Sequence, residues 1–277
     1  NVCGVKGHDE TKTKFSIKAK VVIDGGGRNS ISLRRLNLRR GSPGKGKIAL
    51  AAHWEGVKGL GRYCYMHISH PGYTGIAPVG HNRANIVLVV DRNYLAGANV
   101  EQFFMKIVLE NRLRRRILGG GATVEKIRTV DSLAYSVKKT RCGGLLLVGD
   151  ATGFIDPFTG EGIYLSLRSS QLAVGVVQNA FDKSNFSSRQ LQSYDLIRKK
   201  EFRKKNILSK VLQCLIYKPY LCNRVVATLA AQKELSSLLV GVIGDYHPAN
   251  KVVCFKYLMR LLGGMLSHRQ SSFLPTK

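Results

Sequence analysis

The sequence predicts a mixed α/β fold, with a buried α/β sheet, a separate antiparallel sheet and a helical C-terminal region. Leu145–Val148 is a fully apolar run followed by a Gly-Asp turn and a long helical pattern, as expected for a strand inside an α/β sheet. Residues 47–90 hold four β-like runs divided by turns rich in glycine and asparagine, which favours antiparallel pairing. From residue 189 onward, apolar residues recur every three or four positions, which predicts helices.

Two patterns predict the strands. Residues 14–23 alternate between polar and apolar and then become continuously apolar, which predicts one strand entering a buried sheet. That strand ends at Asp24-Gly25-Gly26-Gly27, a loop that permits close approach of the backbone. The strands of the antiparallel sheet are expected at Lys47–Glu55, Arg62–Ser69, Tyr73–Val79 and Ala84–Val90.

Helical periodicity predicts five helices. One amphipathic helix is expected over residues 100–118, and a longer one from about Gly160 to Ala180. The C-terminal helices are expected at 189–217, ending before Pro219, then at 222–243 and 251–266. Their apolar stripes fit two roles, packing on the domain or forming a lid or partial membrane dock for an apolar substrate.

Charge is the most unusual feature of the composition. The 277 residues include 44 Lys and Arg against 17 Asp and Glu, a formal net charge of +27. Such a chain attracts polyanions or an anionic membrane surface, although no motif for specific nucleic-acid binding accompanies the charge. The clusters Arg112–Arg116 and Arg198–Lys205 are expected to be largely solvent-exposed. Hydrophobic residues make up 44%, enough for a sizeable core, which excludes wholesale disorder.

Cysteine spacing and one glycine pattern exclude other functions. The six cysteines show no C-x-x-C spacing, so we expect free thiols in a reducing, cytoplasmic compartment and no metal site. Gly41-x4-Gly46-Lys47 has the spacing of a phosphate-binding P-loop, but Ile48 replaces the required Ser or Thr. We interpret this segment as a basic loop.

The segment from 145 to 163 carries the strongest chemical signal. A buried strand ends at Gly149-Asp150, and a Gly/Pro loop then leads into a helix N-terminus. Ligands of open α/β sheets bind beyond the carboxyl ends of the strands, and a helix N-terminus offers them unpaired N–H groups. Asp150 is expected to accept hydrogen bonds from sugar-like hydroxyls, and Gly160 and Gly162 to admit a planar ring.

This segment resembles the second flavin motif of FAD-dependent oxidoreductases with the glutathione-reductase-type fold. The matching branch groups para-hydroxybenzoate hydroxylase, the geranylgeranyl reductases and the flavin-dependent halogenases. The resemblance implies that Asp150 binds the ribityl chain of FAD. It also implies that the helix after the Pro-x-x-Gly-x-Gly pattern points its N-terminus at the pyrimidine edge of the flavin. The cofactor-binding residues implied are Gly149, Asp150, Gly153, Pro157, Gly160, Glu161, Gly162 and Arg28.

Other parts of the chain extend the resemblance. Gly27-Arg28-Asn29-Ser30 and Arg34 match the family's middle motif, but Gly26 stands where that motif has an Asp, and the nearest carboxylate is Asp24. Gly244-Asp245-Tyr246 fits a helical tail of some reductase- and halogenase-like members. The implied domains are an FAD-binding remainder at 1–40 and 129–182, a substrate domain at 41–128 and a helical region at 183–277.

The resemblance implies an FAD-dependent oxidoreductase acting on an apolar or aromatic small molecule, by reduction of a C=C bond or by oxygen activation. It also allows NAD(P)H as reductant and peripheral membrane contact. No Gly-x-Gly-x-x-Gly occurs in the sequence, so we interpret it as a fragment lacking the cradle for the ADP half of FAD and expect weak FAD binding. The alternative is a basic, non-enzymatic remnant that binds polyanions or an anionic membrane surface.

No catalytic residue can be assigned from the sequence. In the resembling family the antiparallel sheet covers the flavin and carries substrate contacts. The polar and aromatic candidates on that sheet are His53, Trp54, Tyr65, His67 and Tyr73. Because alternate residues of a strand point to opposite faces, Tyr65 and His67 are expected to share one face.

Overall fold

The computed structural model describes residues 1–40, 46–131 and 133–267. Most of the expected basic loop, from Gly41 to Lys45, lies outside the described residues. The chain divides into two compact units, Asn1–Arg40 with Ser136–Lys277, and Gly41–Tyr135.

The strands fall into four sheets within the described residues. Strands β1 and β2 form a hairpin, β3 and β12 a parallel pair, and β4, β11 and β13 a three-stranded sheet, while β5 to β10 form the large sheet. Their bounds are β1 (Gly4–His8), β2 (Lys14–Lys18), β3 (Val22–Asp24), β4 (Arg39–Arg40), β5 (Lys47–Glu55), β6 (Tyr65–Ser69), β7 (Gly72–Gly80), β8 (Arg83–Asp91), β9 (Ala122–Thr123), β10 (Arg128–Val130), β11 (Tyr135–Val137), β12 (Leu145–Leu147) and β13 (Gly153–Phe154).

The α-helices are short in the first half of the chain and long in the second. Their bounds are α1 (Ile31–Arg35), α2 (Val100–Glu110), α3 (Arg112–Leu118), α4 (Gly162–Asp182), α5 (Ser188–Leu191), α6 (Ser193–Ile216), α7 (Pro219–Ala231), α8 (Lys233–Ile243) and α9 (Phe255–Ser267). Single 3₁₀ turns also occur, among them Gly27–Asn29, Gly149–Thr152 and Pro157–Thr159.

The parallel pair β3–β12 is the buried sheet of the first unit. Val22 lies opposite Leu145, and Asp24 lies opposite Leu147. Helix α4 packs on this pair through a cluster of buried apolar residues that includes Leu146, Val148, Ala173, Val176 and Ala180. The expected strand at Leu145–Val148 and the expected long helix are therefore confirmed, with the helix beginning at Gly162.

The single strand expected over residues 14–23 is wrong. Two strands occupy this range, β2 and β3, and they belong to different sheets. All five residues of β2 are exposed, including Phe15 and Ile17. The alternating pattern does form β-structure, but Lys14, Ser16 and Lys18 face no core. Only the apolar end of the run pairs with β12.

The C-terminal helices are more broken than their periodicity predicts. Residues 189–217 form α5 and α6, and residues 222–243 fall within α7 and α8, which meet at an angle of 109°. Helix α6 ends at Ile216, before Pro219 as expected, and Pro219 begins α7, because the first helical position needs no N–H donor. In the described part of the chain no single helix is long and apolar enough to cross a membrane, and the bent pair α7–α8 meets that test by length and composition only.

The second unit is built on the antiparallel sheet ordered β10-β5-β8-β7-β6, with β9 also paired to β5. The four predicted strands are confirmed, and β5 has the predicted bounds. Strand β10 extends two residues beyond the expected limit of this domain at 128 and pairs with β5. The core beneath the sheet is closed by α2 and α3 and includes Leu50, Trp54, Ile86, Leu88 and Phe104.

The single helix expected over residues 100–118 is wrong, because Asn111 divides it. Asn111 has an extended backbone, with φ −73° and ψ 125°. Its side-chain oxygen accepts hydrogen bonds from the backbone N–H groups of Leu113 (3.0 Å) and Arg114 (3.2 Å). An asparagine in this position caps a new helix, so α3 begins there.

Arg114 is buried, unlike the other arginines of the Arg112–Arg116 cluster, which are exposed as expected. Its side chain is 1% exposed. The guanidinium donates to the carbonyl oxygens of Ile107 (2.6 Å) and Val108 (2.9 Å) and to Ser69 Oγ (2.9 Å). Burial lowers the pKa of Arg114, although Glu110 opposes that shift. Arg114 therefore satisfies the carbonyl groups that α2 leaves unpaired at its C-terminus.

We predict that Arg114→Ala destabilises the second unit by about 2–4 kcal/mol, because it leaves buried carbonyl groups without a donor. The matched control is Arg116→Ala, an exposed arginine two residues away, for which we expect a change within about 0.5 kcal/mol. Urea unfolding of both variants measures the difference. Equal urea midpoints of unfolding for the two variants would show that the Arg114 hydrogen bonds contribute nothing to stability.

Candidate functional site

The candidate site lies at the carboxyl ends of β3 and β12. Because the two strands are parallel, the turns that follow them meet at the same edge of the sheet. These are the 3₁₀ turns Gly27–Asn29, which carries Arg28, and Gly149–Thr152, which carries Asp150. Asp150 therefore lies just beyond the end of strand β12, as expected.

Asp24 shapes the first turn. Its carboxylate accepts hydrogen bonds from Gly26 N (2.8 Å), Ser30 Oγ (2.7 Å) and Ser32 N (3.0 Å). Partial burial acts to raise the pKa of Asp24, but the hydrogen bonds from Ser32, Ser30 and Gly26 outweigh it and hold the pKa below its usual value. Asp24, which lies two residues before the Asp position of the family motif, therefore stabilises the turn.

Asp150 is half-buried at the start of the second turn. Burial raises the pKa of its carboxyl group, and the positive charge of Arg28 on the neighbouring turn acts in the opposite direction. Gly149, just before it, has φ +57° and donates its N–H to Ser169 Oγ at 2.8 Å. A Cβ at Gly149 would lie 2.8 Å from Ser166 Oγ, so glycine allows the turn to lie against α4.

The loop from Gly153 to Gly162 leads into α4 through a second capped turn. Asp156 is buried and accepts a hydrogen bond from Phe158 N at 2.9 Å, which caps the 3₁₀ turn that Pro157 begins. Gly160 then adopts a left-handed conformation, with φ +70°. A Cβ added at Gly160 or at Gly162 would meet no atom within 4 Å, so both backbone positions border open space.

Helix α6 contacts the Gly149–Gly162 loop at three points. Arg198 Nη1 donates to Thr152 Oγ1 (3.1 Å), Lys205 Nζ lies 3.2 Å from Glu161 Oε1, and Gln213 Nε2 donates to Asp156 Oδ2 (3.1 Å). The three side chains are spaced seven and eight residues apart, so they lie on one face of the helix. The polar stripe of α6, which we define as Arg198, Lys205 and Gln213, therefore stabilises the loop along its length.

Lys205 is buried, although most basic residues of the Arg198–Lys205 cluster are exposed as expected. Its ammonium group lies between the carboxylates of Glu161 and Asp245 and 4.4 Å from the centre of the Tyr164 ring. Glu161 is also buried. Burial raises the pKa of Glu161, and Lys205 opposes that shift through its charge and its hydrogen bonding. A buried cation that touches two carboxylates links the Gly160–Gly162 segment to the C-terminal helices.

Sequence reasoning missed four of these residues, Asp156, Lys205, Gln213 and Asp245. Asp156-Pro157 carries a usable signal, since an Asp before Pro commonly caps a turn. The others have no local signal, because Lys205 lies within a run of exposed basic residues and its partner Asp245 lies 40 residues along the chain.

The five candidates of the antiparallel sheet divide into core and surface. Trp54 and Tyr73 are 1% and 2% exposed, and Trp54 Nε1 donates to Leu118 O, so both belong to the core. His53 pairs with Glu125 at 2.7 Å on the exposed surface. Tyr65 and His67 share one face of β6, with ring centres 6.1 Å apart, and burial together with Arg114 lowers the pKa of His67.

Two further expectations concern metals and thiols. No group of three or more metal-ligating side chains occurs in residues 1–40, 46–131 and 133–267. All six cysteines are free thiols.

A protein-family model described as squalene epoxidase matches residues 108–275 of the chain. The match spans more than half of the chain and includes the whole Gly149–Gly162 loop and the polar stripe of α6. The chain belongs to this family of FAD-dependent oxidoreductases. The family lies in the branch that also holds halogenases and geranylgeranyl reductases, which confirms the resemblance inferred from the sequence.

Relatives of this squalene epoxidase-family chain carry different names. Conditioned medium factor receptor 1 of Dictyostelium discoideum is 25% identical over 246 residues, which cover 86% of this chain and 48% of that protein. A digeranylgeranylglycerophospholipid reductase of Methanocaldococcus jannaschii is 34% identical over 134 residues, 48% of this chain and 33% of that protein. The chain thus spans about half of the first relative and a third of the second.

A solved structure confirms the fold class. The structure of a flavin-dependent brominase superposes with a TM-score of 0.76 at 13% identity, covering 96% of this chain and 66% of that one. The shared features are a mixed α/β fold, an antiparallel sheet and C-terminal helices.

We predict that Lys205→Ala costs about 3–5 kcal/mol of stability at neutral pH, because two carboxylates then lose the cation between them. Burial raises the pKa of Glu161 above the usual glutamate value of 4.5, so the cost should shrink as the pH falls from neutral toward 4.5 and protonation removes the buried negative charge. Lys204→Ala, an exposed neighbour, is the control and should change stability by about 0.5 kcal/mol or less. Chemical unfolding at pH 7 and at pH 4 measures both; a cost that does not depend on pH would contradict the role assigned to Lys205.

Proposed function

We propose that the chain holds the flavin end of FAD at the β3–β12 edge and serves an oxidoreductase that acts on an apolar, isoprenoid-type small molecule. The observation that carries this proposal is the position of Asp150. It lies at the end of a parallel strand, beside Arg28 and ahead of a loop whose two glycines border open space. Membership of the squalene epoxidase family supports the same cofactor.

The residues present fit the ring end of FAD. Gly160 and Gly162 offer backbone without side chains toward open space, which suits a flat ring system. Helix α4 begins at Gly162, and its first N–H groups are suited to the electron-rich edge of such a ring. Asp150 can accept hydrogen bonds from the ribityl hydroxyls, as the resemblance implies, and Arg28 adds a positive charge beside them.

The protein's own contribution is positioning. FAD, when bound, supplies the transfer of electrons to or from the substrate. In our proposal Asp150 holds the ribityl chain and the N-terminus of α4 orients the ring. Glu161, which the resemblance implies as a cofactor-binding residue, pairs with Lys205, and we propose that this pair holds the Gly160–Gly162 backbone in place.

The proposed substrate class rests on the family and on one set of relatives. Squalene epoxidases and digeranylgeranylglycerophospholipid reductases are named for apolar isoprenoid substrates. Reduction of a C=C bond and oxygen activation both remain within the proposal, and each needs an external two-electron donor, for which we propose NAD(P)H. The free cysteines support a location in a reducing compartment such as the cytoplasm.

We predict that Asp150→Asn weakens FAD binding by about tenfold or more, because an amide replaces a carboxylate that accepts hydrogen bonds from hydroxyl groups. The measurement is a titration followed by flavin fluorescence. The protein tested carries an added N-terminal strand–Gly-x-Gly-x-x-Gly–helix segment, because we expect the 277-residue chain alone to bind FAD weakly. Asp182→Asn, at the far end of α4, is the matched control and should leave the affinity unchanged.

The same substitution separates binding from stability. Burial raises the pKa of Asp150, so its ionised form disfavours the folded state and Asp150→Asn should raise the melting temperature at pH 7, by up to about 2 °C. The gain should vanish below pH 3.8, where the wild-type carboxyl group is protonated as well. Weaker FAD binding together with a lower melting temperature would indicate general unfolding instead of a lost cofactor contact.

We also propose that α9 rests on an anionic membrane surface, which would bring an apolar substrate close to the protein. One face of α9 leaves Phe255, Leu258, Met259, Leu262 and Leu266 between 42% and 77% exposed. The opposite face is anchored by Tyr257, whose hydroxyl donates to Leu235 O at 3.0 Å. Lys256 and Arg260 flank the apolar face, as in helices that lie in the interface of an anionic bilayer.

We predict that Leu258→Gln with Leu262→Gln reduces binding to anionic liposomes by about tenfold or more, because apolar area is no longer removed from water. The control is Leu196→Gln, a leucine on α6 that is more exposed than Leu258 or Leu262. Flotation at low and high salt measures the bound fraction. Equal flotation of all three proteins would contradict docking through α9 and favour unspecific attraction by the +27 charge.

A further inference from the structure

A small basic cavity lies beside β12 in the unit formed by residues 1–40 and 136–277. It is walled by β12, by residues 137–142 and by α5 and the start of α6. Its volume is about 50 Å³. Since one water needs about 10–15 Å³ of such volume, the cavity has room for about three or four waters or for one small tetrahedral oxoanion.

The cavity lining is strongly biased toward cations and hydroxyl groups. Four basic side chains and one acidic side chain line it, Lys138, Lys139, Arg198, Lys199 and Asp195. Thr140, Ser188 and Tyr194 add hydroxyl donors. Three lysines on the rim are exposed, whereas Arg198 is mostly buried, with 18% of its side chain accessible. This combination favours an anion with several acceptor oxygens.

Arg198 has an unused donor. Its Nε is buried and has no hydrogen-bond partner among the residues that the structure describes. Nη1 donates to Thr152 Oγ1, and Nη2 lies 3.8 Å from Asp195 Oδ1, too far for a strong hydrogen bond. A buried N–H group without a partner is costly, so an acceptor oxygen beside Arg198 would relieve that cost.

We propose that this cavity binds a phosphate-class oxoanion, with Arg198 as its central ligand and the three lysines as its rim. The site is distinct from the Gly149–Gly162 surface but is joined to it. Arg198 holds Thr152, and the Thr152 hydroxyl donates to Gly149 O at 2.8 Å, within the turn that carries Asp150. Occupancy therefore stabilises the turn through the contact between Arg198 and Thr152.

Thermal unfolding in sodium phosphate and in sodium chloride of equal ionic strength tests the proposal. Phosphate should raise the melting temperature of the wild-type chain by a saturating increment of about 3 °C or more, because a ligand that binds only the folded state stabilises it. Phosphate and chloride having the same effect would overturn the proposal.

Two variants identify the ligands, and one serves as control. Arg198→Gln should weaken the apparent phosphate affinity by at least about tenfold. Since that change also removes the contact to Thr152, a second variant with Lys138→Ala and Lys139→Ala alters only the exposed rim and should also weaken it. Lys204→Ala, an exposed residue of α6 outside the cavity, should respond like the wild type. A full phosphate response in both cavity variants would place the anion elsewhere and refute the site.

The source of the phosphate group is distinguished with vesicles. Phosphatidic acid presents a terminal phosphate, whereas phosphatidylserine presents a phosphodiester at comparable surface charge. Preference for phosphatidic acid vesicles that Arg198→Gln abolishes would support a lipid headgroup as the ligand. Equal binding to both vesicles, together with the thermal response to inorganic phosphate, would support a soluble phosphate.

Discussion

Parallel pairing of β3 with β12 is the constraint from which the candidate site follows. The two strands are three residues long and lie far apart in sequence, yet their register places Asp24 opposite Leu147. The turns after both strands therefore meet at one sheet edge and place the charge of Arg28 beside Asp150. The positive φ of Gly149 and the hydrogen bond from its N–H to Ser169 keep the second turn against α4. Without this pairing, Asp150 would be an ordinary loop carboxylate.

Helix α6 provides the second level of organisation, because its polar stripe contacts the Gly149–Gly162 loop at Thr152, Glu161 and Asp156. Buried charges of this kind contribute little net stability compared with an apolar core, but breaking one partner is costly. The polar stripe therefore fixes the conformation of the loop while adding little net stability to the fold. Part of the basic charge is buried. Arg114 and Lys205 donate hydrogen bonds to buried acceptors, while the basic residues next to them in the sequence are exposed.

The sequence predicted what depends on local pattern. Strand β5 has its predicted bounds because alternation and the flanking glycines define it, and the placement of Asp150 follows from one apolar run and one Gly-Asp turn. Local pattern could not reveal the break at Asn111, because helical periodicity continues on both sides of it and only its capping hydrogen bonds divide α2 from α3. Periodicity also could not show that β2 and β3 belong to different sheets, because the partner of each strand is set by pairing with residues elsewhere in the chain. The pairing of Lys205 with Asp245 depends on long-range packing, and only the tertiary structure shows it.

The central claim is that the Gly149–Gly162 loop holds the flavin end of FAD. A crystal structure of the FAD-loaded protein, prepared with the added glycine-rich N-terminal segment, tests it most directly. The account predicts a carboxylate oxygen of Asp150 within about 2.5–3.2 Å of a ribityl hydroxyl, with the flavin ring lying over the backbone of Gly160 and Gly162. A flavin bound elsewhere, with Asp150 facing only protein or solvent, would contradict the account.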